Sequence, residues 1–320
     1  MKNNMREENV ADMVKNYTNL YKIIEQIAAL SPFQKKAINR YCNIADKRYF
    51  EFAESLANRM LKVVDCEDGY EYIAKTYLWY TKTIRIEEMY FRKEGNYRYS
   101  DYEEVFRKVY GRDDYMIDYV VGLGMTQIFW PNHWEIFKFF LDSFIPKVKD
   151  FSNGAEVGVG HGLFHSELLR GCPEMQSKLI DISPSALKMT QKMIEATGVD
   201  SKRAEPIICD IQKEIPVEDE SLDALLMGEL IEHIQDGEAV MSNMATKMKT
   251  SGFCYFSTAA NSPAEDHILL FRTVKEIRDF IDKCKWRVLD EHLGTLRQMT
   301  IEESEKDGHN INYAAVLAVK

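Results

Sequence analysis

The sequence predicts two parts: an all-α N-terminal domain over residues 1–149, then an α/β domain over residues 150–320 built on a doubly wound, seven-stranded, mainly parallel sheet. Three observations lead there. Apolar residues recur at steps of three and four through the first half, the spacing of a buried helix face. After Lys149-Asp150 the pattern becomes short apolar runs alternating with helical stretches, which argues for a parallel sheet with helices on both faces. At the changeover stands a glycine-rich segment, Gly154-Ala155-Glu156-Val157-Gly158-Val159-Gly160-His161-Gly162.

Bulk properties narrow the class. A chain of 320 residues is long enough for two ordinary domains, and 45% hydrophobic with 29% charged residues is globular. No apolar run approaches the roughly 18–20 residues of a membrane span. The start, Met1-Lys2-Asn3-Asn4-Met5-Arg6-Glu7-Glu8, has no apolar signal core, so the expected location is the cytoplasm. Six scattered cysteines without a CxxC pair read as reduced, mostly buried thiols. Residues 1–150 balance 23 Lys+Arg against 23 Asp+Glu, so the net charge of −10 lies entirely in the second half. An acidic catalytic half is a poor host for a phosphate backbone, which disfavours nucleic-acid substrates.

In the first half, Met13, Tyr17, Leu20, Tyr21, Ile24 and Ile27 mark a helix from Val10 to about Leu30. Ser31-Pro32 restarts a helix, with Ser as cap and Pro in the first turn. Further helical stripes cover Arg48–Val64 and Tyr70–Phe91, and Glu94-Gly95-Asn96 breaks the pattern. A capped start is expected at Ser100-Asp101-Tyr102-Glu103, then helix over Tyr115–Leu123 and over Asn132–Val148. Of 17 tyrosines, 15 precede residue 120. Two readings stand for them: amphipathic core filling, or an aromatic cage for substrate. The run Gly122-Leu123-Gly124-Met125-Thr126-Gln127-Ile128-Phe129-Trp130-Pro131-Asn132-His133-Trp134 is irregular for a helix interior. It is expected as a loop over the active-site mouth, with Trp130 and His133 as candidate substrate contacts, or as a hinge with buried tryptophans.

In the second half, strands are expected at Ala155–Val159, Lys178–Ile182, Pro206–Cys209, Ala224–Met227, Gly252–Ser257, Trp286–Leu289 and Tyr313–Val319. Helices are expected at Leu163–Arg170, Pro184–Thr197, Ala239–Met248 and Thr273–Lys283. In such sheets a ligand lies beyond the carboxyl ends of the strands. The glycine run falls there, and glycine lets backbone approach a ligand closely at positive φ. No Lys or Arg accompanies it and no GKS/T follows, which argues against a phosphate-loop nucleotide enzyme. A dinucleotide dehydrogenase fits the turn plus acid, but its third glycine stands one residue later.

Acids at three further strand ends complete the pattern, and here the sequence resembles the class I S-adenosylmethionine-dependent methyltransferases over about residues 150–320. In that family an acid precedes GxGxG, matching Glu156, Gly158, Gly160 and Gly162. The resemblance implies that Asp181 holds the ribose hydroxyls and that Asp210 receives the adenine amino group, with Ile182 and Ile211 as apolar walls. The implied cofactor is S-adenosyl-L-methionine.

The reaction end is expected at Gly228-Glu229-Leu230-Ile231-Glu232-His233. If a helix starts there, Glu229, Glu232 and His233 lie near one face. His267, in the loop after the fifth strand, is positioned to face the same substrate as His233. Glu229, His233 and His267 are the candidate catalytic residues. In one reading Glu229 or His233 orients or deprotonates an oxygen or nitrogen nucleophile. In the other, Glu229, Glu232, His233 and His267 resemble the divalent-metal set of the small-RNA ribose methyltransferases. A metal-free enzyme is the primary expectation: methyl transfer to oxygen or nitrogen of a small-molecule substrate, with the helical half as cap. A protein or peptide acceptor is the alternative, and a homodimer is one assembly compatible with the chain.

Overall fold

The computed structural model describes residues 14–295 and 299–320; the charged start at residues 1–8 and the first residues of the helix predicted from Val10 lie outside them. The chain is helical at Val14-Lys15, turns at Asn16-Tyr17 and resumes as helix α1 (Thr18–Leu30), so the helix expected as one is interrupted there. Ser31 then caps α2 (Pro32–Cys42) by accepting the Gln34 N–H, with Pro32 in the first turn as predicted. Helix α3 (Lys47–Val64) is capped by Asp46, which accepts from Tyr49 N–H. Helix α4 (Gly69–Glu94) stops at Gly95, which takes the left-handed conformation at φ 73°. Helix α5 (Tyr102–Lys108) begins at the Asp101 cap.

Helix α6 (Asp113–Phe129) corrects the sequence reading. Gly122 and Gly124 lie inside it, in no loop, because they let helices approach. A Cβ at Gly122 would stand 2.6 Å from the Tyr80 Cβ, and one at Gly124 would stand 3.2 Å from the Met60 Cε. The break is a single residue, Trp130, before Pro131 opens α7 (Pro131–Phe139). A π-helical turn over Phe140–Phe144 and a last short helix, α8 (Ile145–Val148), follow without interruption.

The sheet holds seven strands: β1 (Asn153–Val157), β2 (Gln176–Asp181), β3 (Ala204–Ile208), β4 (Leu222–Gly228), β5 (Met248–Ala260), β6 (Trp286–Thr295) and β7 (Ile311–Val319). Their order is β3-β2-β1-β4-β5-β7-β6, all neighbours pairing parallel except β7, which is antiparallel to both β5 and β6. The predicted strands are all present, but β1, β2 and β3 begin two residues earlier and end one or two residues sooner than expected, and β6 runs on to Thr295. Crossover helices are α9 (Leu163–Gly171), α10 (Pro184–Ala196), α11 (Gly237–Lys247) and α12 (Val274–Lys283), and the short α13 (Ile301–Asp307) lies in the connection between the antiparallel neighbours β6 and β7. The chain reverses its direction of travel across the sheet between β1 and β4, so the crevice at their carboxyl ends is the switch point.

Each sheet face has its own core. One joins Val240, Met244, Ile277 and Trp286 of the α11/α12 side to Leu225, Phe256 and Tyr313. The other begins in the sheet with Leu179, Leu226, Tyr255 and Val316 and continues without a gap into Phe137, Phe140, Met125, Met60 and Leu20 of the helical half. Polar contacts fix the same seam. Arg59 of α3 donates to Glu167 of α9 at 2.7 Å with both side chains buried, and Asn132 donates to Asn312 at 2.6 Å. Among the described residues, no helix is long and apolar enough to cross a membrane.

Candidate functional site

The loop after β1 carries three glycines in the left-handed region, at φ 74°, 49° and 73° for Gly158, Gly160 and Gly162. Two of them are needed by the fold. A Cβ at Gly158 would meet Leu230 at 2.8 Å, and one at Gly162 would meet the Thr190 backbone at 2.7 Å. Gly160 has nothing within 4 Å of a Cβ position and lines a cavity of about 1960 Å³. It is the position where backbone stands bare toward a ligand.

Asp181, at the end of β2, anchors this loop. Its carboxylate accepts the Val159 and Ser183 N–H groups, each at 2.8 Å. Burial lifts this carboxyl above its usual range against the pull of those N–H groups. Asp210, beyond β3, accepts Gln212 N–H at 3.1 Å and pairs with the exposed Lys213 at 3.0 Å. Ile182 and Ile211 line the cavity beside these two acids. Glu156 is buried in β1 with one oxygen 3.1 Å from His165 Nδ1. Burial, with the Asp181 charge adding to it, pushes the Glu156 carboxyl far up, while burial brings His165 down to about 3. His161 accepts the Leu163 N–H at the start of α9, and burial lowers it to about 4.

At the end of β4 the expected helix is a single 3₁₀ turn, Ile231–His233, and Glu229 stands before it at φ 48°. A non-glycine residue in that region is strained, and here Glu229 N–H bonds to the Ser257 carbonyl at 2.9 Å, which holds it there. Glu229 and Glu232 still share one site. Burial raises both, and the Glu229 charge pushes Glu232 further up. Thr258 donates to Glu232 at 2.9 Å. The rings of His233 and His267 cross at 4.7 Å between centroids, as the sequence placed them. His267 Nδ1 donates to the Ser262 carbonyl at 2.5 Å, and burial lowers this ring to about 4.

Sequence reasoning missed the residue at the centre of this cluster. Asp266 is buried, with one carboxylate oxygen 3.3 Å from His233 Nδ1. The hydroxyls of Tyr110 and Tyr119, from the helical half, donate to that same oxygen at 3.0 and 2.9 Å. Burial pushes the Asp266 carboxyl up, but the two histidines and two hydroxyls outweigh it, and it ends below its usual range. Tyr115 bonds the adjacent Glu265, and Tyr97 accepts the Ser262 N–H at 3.1 Å. Four tyrosines thus tie the loop after β5 to the helical half, while others such as Tyr49 and Tyr77 fill the core. The only signal available in the sequence was the crowding of tyrosines before residue 120.

Trp130 and His133 also line the cavity, with their rings 5.0 Å apart. His133 Nδ1 contacts Thr126 Oγ1 at 2.9 Å and Gln127 Nε2 at 3.2 Å, and burial lowers it to about 3, so it is neutral. Tyr102 of α5 lies near Asp181 and Asp210, its backbone N–H held by Gln235 at 3.0 Å.

Comparison with known proteins agrees with this geometry. Residues 155–256 match the methyltransferase domain family. None of the curated proteins matches the chain. Similar solved structures include the N-methyltransferase NodS from Bradyrhizobium japonicum WM9 in complex with S-adenosyl-L-homocysteine. It is 13% identical, with 69% of this chain and 99% of that one covered, at a TM-score of 0.46. Phosphoethanolamine N-methyltransferase 2 from Haemonchus contortus, in complex with S-adenosyl-L-methionine, is 15% identical, with 70% and 60% covered, at 0.47. The cyclase SpnF is 15% identical, with 54% and 76% covered, at 0.44. Residues 155–256 therefore form a methyltransferase domain, the kind that takes its methyl group from S-adenosylmethionine. The open backbone at Gly160 and the carboxylates of Asp181 and Asp210 on one cavity fit that cofactor.

Proposed function

We propose that this enzyme methylates an oxygen or nitrogen of a small molecule held between the sheet and the helical half, residues 1–149. The observation that carries this reading is the grip of Tyr110 and Tyr119 on Asp266, which roofs the inner end of the cavity with helical-half residues. A roofed cavity suits a metabolite better than a polymer chain. Asp181 and the ribose hydroxyls, Asp210 and the adenine amino group, and Gly160 and the amino-acid end make the cofactor contacts, with Ile182 and Ile211 against the adenine faces. When bound, the cofactor supplies an electrophilic methyl group. The chain's own residues orient the acceptor, exclude water and take up a proton where the acceptor has one to lose.

His233 is the proposed base, with Asp266 holding its Nδ1 side and stabilising the imidazolium that forms. Glu229, next to Glu232, orients the acceptor, and Trp130 and His133 contact the rest of the substrate. The test is labelling from S-adenosylmethionine carrying a tritiated methyl group, offered with fractionated cytosolic extract. Label is expected in the small-molecule fraction, and label confined to the protein fraction would overturn the reading in favour of a protein acceptor.

A second reading has its own observation. One ligand atom each from Glu232, His233 and His267 lies within 4.8 Å of the others. His267 donates its other ring nitrogen to a carbonyl and His233 faces Asp266, the outer support that metal-binding histidines usually have. In this reading Glu232 and the two histidines hold a divalent ion. Turnover abolished by a chelator and restored by manganese would establish it, and turnover indifferent to both would remove it.

A further inference from the structure

The cavity does not end at the catalytic cluster. Its volume of about 1960 Å³ includes the cofactor site at Gly160, Asp181 and Asp210, and its lining extends beyond both that site and the catalytic cluster. From the inner end it runs out between α2 and the length of α4, past Tyr77, Leu78 and Ile84, to a mouth at the surface. The segment of α4 from Tyr80 to Arg92 that lines it spans about 18 Å at the usual helical rise. An elongated molecule is what such a channel accommodates.

The mouth has an unusual surface. Phe33, Ile44 and Met89 line it and are 66%, 69% and 66% exposed, in a chain that buries most of its large apolar side chains. Scattered exposed apolar residues need no account, but three on the rim of one cavity do. Arg40, Lys82, Arg85 and Arg92 stand among them. None of the four has a carboxylate partner among the described residues, and Arg85 is engaged only over the Phe33 ring at 5.6 Å. Among the described residues, Glu88 and Asp46 are the acids near this rim without an ion-pair partner, so four cations against two acids leave the mouth locally cationic in a protein of net charge −10. Elsewhere on the surface, lysines and arginines are commonly paired, as Arg48 is with Asp142 and Arg278 with Glu291.

We infer that the substrate is an anionic amphiphile: a long apolar body lying along α4, with a phosphate or carboxylate group held at the mouth by Arg40, Lys82, Arg85 and Arg92. This deepens the proposed methyl transfer and rests on it, because the acceptor atom would be the end that reaches His233 and Glu229. Guanidinium groups beside exposed aromatic and thioether side chains suit that chemistry, since they bind the anion and the first carbons of the chain together. The shared feature is the anion on an apolar tail, and the two head groups are told apart by competition.

The test is fluorescence titration of the full chain with dansyl-labelled undecanoic acid, followed by displacement. The expected result is enhanced emission, reversed by dodecyl phosphate or dodecanoate. Dodecanol should compete about tenfold less well or worse, for want of charge-assisted hydrogen bonds. The better of the two anions names the head group. Arg85→Glu with Arg92→Glu should weaken probe binding by about tenfold or more while leaving S-adenosylmethionine binding in calorimetry, and the melting curve, unchanged. Displacement by dodecanol or dodecyltrimethylammonium as good as by dodecyl phosphate would overturn the assignment. So would an unaltered affinity in the double variant. A mouth that instead docks an acidic protein would leave free dodecyl phosphate without effect, which is equally fatal. Failure of the probe with intact S-adenosylmethionine binding sinks this inference alone; probe binding without S-adenosylmethionine binding sinks the methyl-transfer reading and leaves the channel assigned.

Discussion

Replacing Asp181 with Ala tests the cofactor site most directly, because this carboxylate does two jobs. It accepts the Val159 and Ser183 N–H groups at 2.8 Å each, which shapes the glycine loop, and it is the proposed partner of the ribose diol. Truncation leaves two buried N–H groups without an acceptor. At about 1–3 kcal/mol each, reduced where water can enter the space, the unliganded fold should lose about 2–4 kcal/mol. The diol loses two charge-assisted hydrogen bonds as well, about 3–4 kcal/mol together, so Kd should rise by two to three orders of magnitude. Asp181→Asn keeps one acceptor oxygen and should fall between wild type and Ala in both measures. Calorimetric titration with S-adenosylmethionine and with its demethylated product gives affinity, and urea unfolding gives stability. Unchanged affinity for both ligands, in a variant whose stability fell as expected, would mean that Asp181 shapes the loop and touches no cofactor.

Three further outcomes follow from particular contacts. Gly162→Ala forces a Cβ to 2.7 Å from the Thr190 backbone at φ 73° and should cost about 3 kcal/mol or more of stability, whereas Gly160→Ala faces open space and should cost only about 1–2 kcal/mol. The second variant should nonetheless lose cofactor affinity, and equal behaviour of the two would show that the loop is placed differently. Glu232→Gln mimics the protonated acid. Because the folded pKa of Glu232 lies far above its unfolded value, the folded state holds an extra proton and stability falls as pH rises above about 4.5. The slope approaches 1.4 kcal/mol per pH unit while the folded state keeps its proton, and urea unfolding between pH 5 and 8 should show it diminished in the Gln variant. Arg59→Ala uncovers the buried Glu167, which keeps only the exposed Arg170, and should cost about 3 kcal/mol. A cost near zero in thermal unfolding would mean that the seam between α3 and α9 is wet.

The cofactor half was legible in the sequence because its geometry forces residue choice. Positive φ at Gly158, Gly160 and Gly162, with close approach of Leu230 and Thr190, leaves glycine as the only comfortable residue, so the loop writes itself into the chain. Strand ends follow from apolar runs and carry their acids with them. Gly122 and Gly124 looked the same as sequence and meant something else. There glycine serves helix-to-helix contact, and nothing local separates that use from a turn. The reaction end was half legible. His233 and His267 could be brought together from topology, since β4 and β5 are neighbours. Asp266 could not be joined to Tyr110, because 156 residues separate them and the contact depends on how the helical half docks.

That docking limits how this enzyme can change. The apolar core on one sheet face passes unbroken from Leu226 and Tyr255 into Phe140, Met125 and Met60. The helical half, proposed to select the acceptor, and the sheet beside the methyl-donor site therefore share one apolar core instead of standing as two exchangeable modules. Transplanting a different cap would strip apolar surface from the sheet, so new specificities in this lineage must arise by point changes along the channel. Drift in acceptor preference is then coupled to thermal tolerance, and the mouth, where Phe33, Ile44 and Met89 stand exposed, is where preference can shift most freely.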